Sequence, residues 1–164
     1  MILKSSGLAS LRKKLKHKKI VFVSGCFDIL HQGHVEFLER AAKYGDVLVV
    51  GVLSDRYIRT KKHRKGIFSQ SERARIIAAL KPVDHAVLTP YTTNPYPSLE
   101  VISMLRPDIF LRCEKSHMYK PLKKTTEITR HTMQISRHEK SEFKFASHSK
   151  SKSDQDTVTS YHEK

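Results

Sequence analysis

The sequence predicts an α/β fold built on a parallel five-stranded sheet, and three features of its 164 residues carry that prediction. "KIVFVSG" is a short apolar run ended by glycine. "VLVVGVLSD" is a continuous apolar run, as expected of a strand covered on both faces. Between them, "HVEFLERAAKYGD" repeats apolar residues at helical spacing, with Val35, Phe37, Leu38, Ala41 and Ala42 on one stripe. Strand, helix and strand within about 35 residues make a βαβ unit, which requires parallel strands.

The alternation continues along the chain. Gly45 stands where a helix C-cap is expected. "KKHRKGIF" reads as a basic loop. "SQSERARIIAAL" opens a helix with a capping box, Ser69 standing three residues before Glu72. "VDHAVL" is a third strand, "PYPSLEVISMLRPD" a helix stopped before Pro107, and "DIFLR" a fourth strand. "PLKKTTEITRHTMQIS" reads as a helix, and "SEFKFAS" alternates as an edge strand does. The expected division is a basic leader over 1–18, one domain over 19–147, and a polar tail over 148–164, read as either a disordered segment or an incomplete terminal helix.

Composition narrows the function classes. Lys and Arg number 31 against 16 Asp and Glu, a formal net charge of +15. The excess lies mainly in the flanks. Such charge suits nucleic acid, an anionic surface or a phosphorylated small molecule. The aromatic residues, 8% of the chain, are not interleaved with the basic clusters, so a base-stacking platform has little support and nucleic acid is an unlikely partner. No apolar run approaches the roughly 20 residues of a membrane span. The leader lacks the apolar segment of a signal peptide, and the two cysteines lack metal-ligand spacing, so a cytoplasmic setting is expected.

The candidate site is "SGCFDILHQGH", residues 24–34. In an open parallel sheet, ligands bind beyond the carboxyl ends of the strands, and this segment is the first such loop. Gly25 lets a backbone approach a ligand, and the amides entering the next helix favour an anion. His31 and His34, three residues apart on the first helical turn, share a face, and Gly33 between them leaves room for a bulky group. This is a phosphate-handling corner.

"GCFDILHQGH" resembles the signature of the cytidylyltransferase-like nucleotidyltransferases. "GDVLVVGVLSD", a Lys-rich loop, "SQSERARIIAALKPVDHAV" and "LRPDIFLR" extend the likeness over roughly 19–112. The cysteine form is most similar to the heptose-phosphate adenylyltransferases, with phosphoethanolamine and glycerol-3-phosphate cytidylyltransferases as further relatives. The resemblance implies a Rossmann-like three-layer sandwich, the nucleotidyltransferase fold. It also implies a reaction: a phosphomonoester (a phosphorylated sugar or alcohol) attacks the α-phosphate of ATP or CTP and pyrophosphate leaves. Mg2+ would accompany the triphosphate, and a homodimer is an assembly common in the family.

By the same resemblance, His31 and His34 stabilise the reacting phosphates, Lys61 (or Lys62) and Arg73 contact phosphate, and Asp28 positions the loop or the metal-bound phosphates. The backbone of Gly25, Cys26 and Phe27 lines the nucleotide pocket beside Gly33, and Cys26 is a small filler, not a nucleophile. Two stretches depart from the family pattern. "LRCEKSH" replaces a glycine followed by acidic residues, and the closing Ser-Thr motif is matched only by Thr159 and Ser160. Two other functions share the features: a catalytically weakened relative that binds nucleotide or a phosphometabolite, and a basic nucleic-acid-binding protein.

Overall fold

The chain is described by a computed structural model covering residues 1–93, 97–113, 131–135 and 143–146. Its strands are β1 (Ile2–Lys4), β2 (Ile20–Gly25), β3 (Val47–Val52), β4 (His85–Leu88), β5 (Ile109–Cys113), β6 (His131–Ile135) and β7 (Phe143–Ala146). Its α-helices are α1 (Leu8–Lys14), α2 (Gln32–Ala42), α3 (Asp55–Lys62), α4 (Gln70–Ala78) and α5 (Leu99–Leu105). The strands form one sheet in the order β1-β4-β3-β2-β5-β6-β7, parallel throughout except for the last pair, β6 with β7.

The apolar runs explain the layers. Along β2 and β3, alternate residues face opposite sides, as the two-residue period of a strand demands. Val21, Val23, Leu48 and Val50 pack with Leu38 of α2 and with Ala74 and Ile77 of α4. Ile20, Phe22, Val47 and Val49 pack on the other side with Leu8 and Leu11 of α1 and with Val101, Ile102 and Leu105 of α5. Each such side chain, removed from water, contributes about 1.5–3 kcal/mol. The rings of Phe22 and Phe110 stack within this second layer, 5.6 Å apart. Helices on both faces of a parallel sheet make the three-layer sandwich that the family resemblance implies.

Several elements differ from expectation. Residues 1–18, expected as a leader outside the domain, contribute β1 to the sheet edge and α1 to the outer layer. Leu8 and Leu11, three apart on one helical face, are both buried, packed with Val101, Ile102 and Leu105 of α5. The sheet holds seven strands among the described residues where five were expected. Part of the extra width is β6, which occupies 131–135 where a helix was expected and pairs in parallel with β5. The segment 55–62 is helix α3, capped by the Ser54 hydroxyl accepting from the Tyr57 amide at 3.2 Å, so the basic run begins on a helix and not in a loop.

Gly45 is not a left-handed C-cap; no glycine has positive φ among the described residues. A Cβ there would lie 2.5 Å from the Lys19 carbonyl oxygen, so the position needs a glycine for close backbone approach. The capping box of Ser69 and Glu72 forms as read, as do β4, α5, β5 and the edge strand β7.

Topology places the site. From β2 the chain moves outward through β3 and β4, then returns to set β5 on the other side of β2. The direction of winding reverses between β2 and β5, and in open α/β sheets such a reversal is where ligands bind, beyond the carboxyl ends of the strands. The loop carrying 26–31 leaves β2 at that point.

Candidate functional site

Strand β2 ends at Gly25, whose carbonyl accepts from the Leu53 amide at 2.9 Å and so ties the ends of β2 and β3. Phe27 turns the chain with φ of 49°, a left-handed conformation uncommon outside glycine. Its ring lies back over Gly25, where a Cβ would come within 2.9 Å of it. The same ring meets His34 edge to face, centroids 5.3 Å apart. Phe27 is thus a buried prop beneath the histidines.

His31 is the extended N-cap of α2, and its carbonyl accepts from the His34 amide at 2.9 Å. Its side chain makes no capping bond, and the imidazole is exposed. The imidazoles of His31 and His34 lie 3.9 Å apart, tilted by 33°. A Cβ at Gly33 would stand 3.2 Å from the His31 ring, so glycine lets that ring fold over the helix start. The structure therefore brings Gly25, Cys26, Phe27, His31, Gly33 and His34 together as one corner. Two imidazoles at the N-terminus of an 11-residue helix supply donors where a phosphate is favoured.

The remaining expected residues fall elsewhere. Asp28 is buried, with its carboxylate accepting from Arg64, from the Ile67 amide at 2.9 Å and from the Phe68 amide at 3.4 Å. Burial alone would raise its pKa, but the hydrogen bond from Arg64 and those from the two amides outweigh it and hold the carboxyl below the ordinary range. These contacts tie Asp28 to the segment 64–68 that precedes α4.

Arg73 was expected at a phosphate. It is instead fully buried: Nε donates to the Phe68 carbonyl at 3.1 Å, and the Nη groups donate to the carbonyls of Cys26 and Leu53 and to Asp55. The physical reason is position, since the first turn of α4 packs under the β3 end and aims the guanidinium inward.

Lys61 and Lys62 are both exposed in the last turn of α3, and Lys62 is the lysine whose charge acts on Cys26. Burial pushes the Cys26 thiol up, and Lys62, Arg73 and Arg64 lower it by less. Thr159 and Ser160, and the stretch after β5 that departs from the family pattern, lie outside the described residues.

Two contributors were not read from the sequence. Arg64 pairs with Asp28 across 36 residues of chain. Gln70 donates through Nε2 to the carbonyls of Val52 at 2.7 Å and Thr89 at 2.8 Å, stitching the ends of β3 and β4. Neither carries a local spacing signal; the capping box beside Gln70 marks only where its helix starts.

Comparison with known proteins adds to this geometry. A family model described as cytidylyltransferase-like matches residues 22–160. A protein from Geobacter metallireducens named "Bifunctional protein HldE" is 41% identical over 109 residues, 65% of this chain and 21% of that protein. This chain thus spans about a fifth of the length of the curated relatives it matches. Among solved structures, the lipopolysaccharide core biosynthesis protein from Thermoplasma volcanium superposes with a TM-score of 0.63 at 30% identity, over 74% of this chain and 99% of that one. Pantoate-beta-alanine ligase from Francisella tularensis, solved with beta-gamma ATP and beta-alanine, gives a TM-score of 0.61 at 18% identity, covering 83% and 66%, a likeness of fold alone.

Proposed function

The chain belongs to the cytidylyltransferase-like family, and from that premise we propose that it is a nucleotidyltransferase acting on a phosphorylated sugar or alcohol. An oxygen of the phosphomonoester attacks the α-phosphorus of ATP or CTP. One P–O bond forms as the bond to pyrophosphate breaks. Such a step needs little covalent chemistry from the protein, so positioning and charge stabilisation carry the rate.

The observation that carries this reading is the pair of imidazoles, 3.9 Å apart, on the loop and helix start that follow β2, where the strand order reverses. Donors fixed before the reaction stabilise charge that develops on the α-phosphate and on the departing pyrophosphate. In this reading the backbone at Gly25 and Cys26 borders the nucleotide, and the exposed Lys61 or Lys62 supplies a cation for the triphosphate. Cys26 keeps its proton and takes no part as a nucleophile.

Mg2+ would come bound to the triphosphate. Among the described residues no group of three His, Cys, Asp or Glu side chains is placed to hold a metal. Asp28, the motif's own carboxylate, is committed to Arg64 and two amides. These residues do not form a ligand set for the ion, which commonly keeps phosphate oxygens and water as ligands.

No helix among the described residues is long and apolar enough to cross a membrane. The likeness of the "GCFDILH" form to heptose-phosphate adenylyltransferases favours ATP over CTP. Pyrophosphate release with a panel of sugar and alcohol phosphates, run with each nucleotide, tests the proposal. Release with one acceptor supports it and names the substrate. Nucleotide binding without release from any acceptor would favour a non-catalytic relative.

A further inference from the structure

Two buried charges of opposite sign, Asp28 and Arg73, sit behind the histidine corner. Asp28 lies three residues before His31, with its side chain 3% exposed. It receives the Ile67 amide at 2.9 Å, the Phe68 amide at 3.4 Å and the Arg64 guanidinium. Arg73, from α4, donates to the Phe68 carbonyl at 3.1 Å and to the Cys26 carbonyl. Residue 68 is therefore held at both ends, its N–H by Asp28 and its C=O by Arg73. The loop after β2 is likewise held at two points, the Cys26 carbonyl and the Asp28 carboxylate. The contacts close a ring: Cys26, Arg73, Phe68, Asp28, and back along two residues to Cys26. The remaining donors of Arg73 fasten this ring to the β3 end, through the Leu53 carbonyl at 2.9 Å and Asp55 at 2.6 Å.

The ring joins the two segments that carry the site's exposed cations and imidazoles. One leads into His31 and His34; the other follows directly from Lys61–Lys65. Neither charge faces solvent, and a buried charge left without its partner is strongly unfavourable, so the two loops keep one relative placement.

We propose that Asp28 and Arg73 are positioning residues, forming one clamp that sets the histidine corner against the basic segment 61–65 without touching the reacting phosphates. This rests on the nucleotidyl-transfer reading. It assigns to Arg73 a role different from the phosphate contact that the resemblance implies.

The test uses the full chain carrying Asp28→Asn, Arg73→Gln or Arg64→Gln, assayed well below each melting temperature. Amide exchange at Ile67 and Phe68 reports on the clamp, and pyrophosphate release gives kcat and KM. In Asp28→Asn, exchange at both amides should quicken. Its kcat should fall about 10²-fold, the scale of a misplacement near 1 Å. Its triphosphate KM should stay within about threefold, as for an interaction made through geometry and not through ground-state binding. Arg64→Gln, which removes only the half-exposed partner, should show the same pattern weakly. If Arg73→Gln does not fold, Asp28→Asn still decides the matter, because asparagine keeps the shape while removing the charge that holds Arg64 and the two amides.

A raised triphosphate KM with unchanged kcat would mean direct phosphate contact and overturn the proposal. So would a lowered melting temperature with unchanged kcat, which is the mark of a merely structural pair. Unchanged exchange at 67 and 68 would deny the clamp itself. Absence of pyrophosphate release from the unaltered chain with every acceptor would instead sink the nucleotidyl-transfer reading, and with it any role for the clamp in that reaction.

Discussion

The imidazole of His31 lies over Gly33 and 3.9 Å from that of His34, so the helix start presents two rings as one surface. His31→Ala and His34→Ala should each lower pyrophosphate release by about 10²–10³-fold, the usual loss for a preorganised donor. The stability effects should differ. His31 is exposed and makes no capping bond, whereas His34 packs against Phe27, so only His34→Ala should lower the melting temperature measurably. Near-normal turnover in both variants would remove the histidines from the mechanism.

Gly33→Ala separates folding from function in the opposite sense. Alanine in a helix is favoured over glycine by up to about 1 kcal/mol. The added Cβ, however, would stand 3.2 Å from the His31 ring and push it aside. The variant should melt no lower than the parent and turn over about tenfold more slowly. An unimpaired rate would show that the placement of His31 does not matter.

At Gly45 the expectation reverses. A Cβ 2.5 Å from the Lys19 carbonyl meets backbone, which cannot swing away. Gly45→Ala should cost about 1–3 kcal/mol in urea melts, while kcat of the folded protein stays unchanged because the contact lies at the end of the sheet opposite the site.

Cys26 should be a slow thiol. Burial raises its pKa by more than Lys62, Arg73 and Arg64 lower it, so the nucleophilic thiolate is scarce near neutral pH. In a Cys113→Ser background, alkylation by iodoacetamide should run slower than for a free thiol, and Cys26→Ala should keep turnover within about threefold. Rapid alkylation, or an inactive alanine variant, would reopen a chemical role for the sulfur.

Stability should fall in two separate acid ranges. His85 has its pKa lowered by burial and then by the Met1 amino group, with Asp84 opposing. The folded state therefore resists protonation at His85. Stability should begin to drop as pH passes below about 6.5, the ordinary histidine value, and level off below the folded value. Asp28, held below the ordinary carboxylate range, contributes stability above about pH 3.9 that is lost as pH falls through its folded value. Urea melts across pH should lose the upper limb in His85→Gln and the lower limb in Asp28→Asn. An upper limb kept in His85→Gln would refute the first assignment, and a lower limb kept in Asp28→Asn the second.

What the sequence determined by itself is what local rules govern. Apolar runs, one helical stripe and a capping box gave β2, β3, α2 and α4, because burial pattern and caps act within a few residues. The histidine corner was legible for the same reason: strand end, glycine and helix start are adjacent in the chain. Tertiary structure decided the rest. Leu8 and Leu11 draw the basic N-terminal segment into the domain only because α5 offers them a face. Arg73 reads as a phosphate ligand until packing sets the carbonyls of Cys26, Leu53 and Phe68 and the Asp55 carboxylate around it. Asp28 finds Arg64 and the amides of Ile67 and Phe68 across 36 to 40 residues. No spacing rule reports such partners, because a buried charge is satisfied by whatever the packing brings beside it.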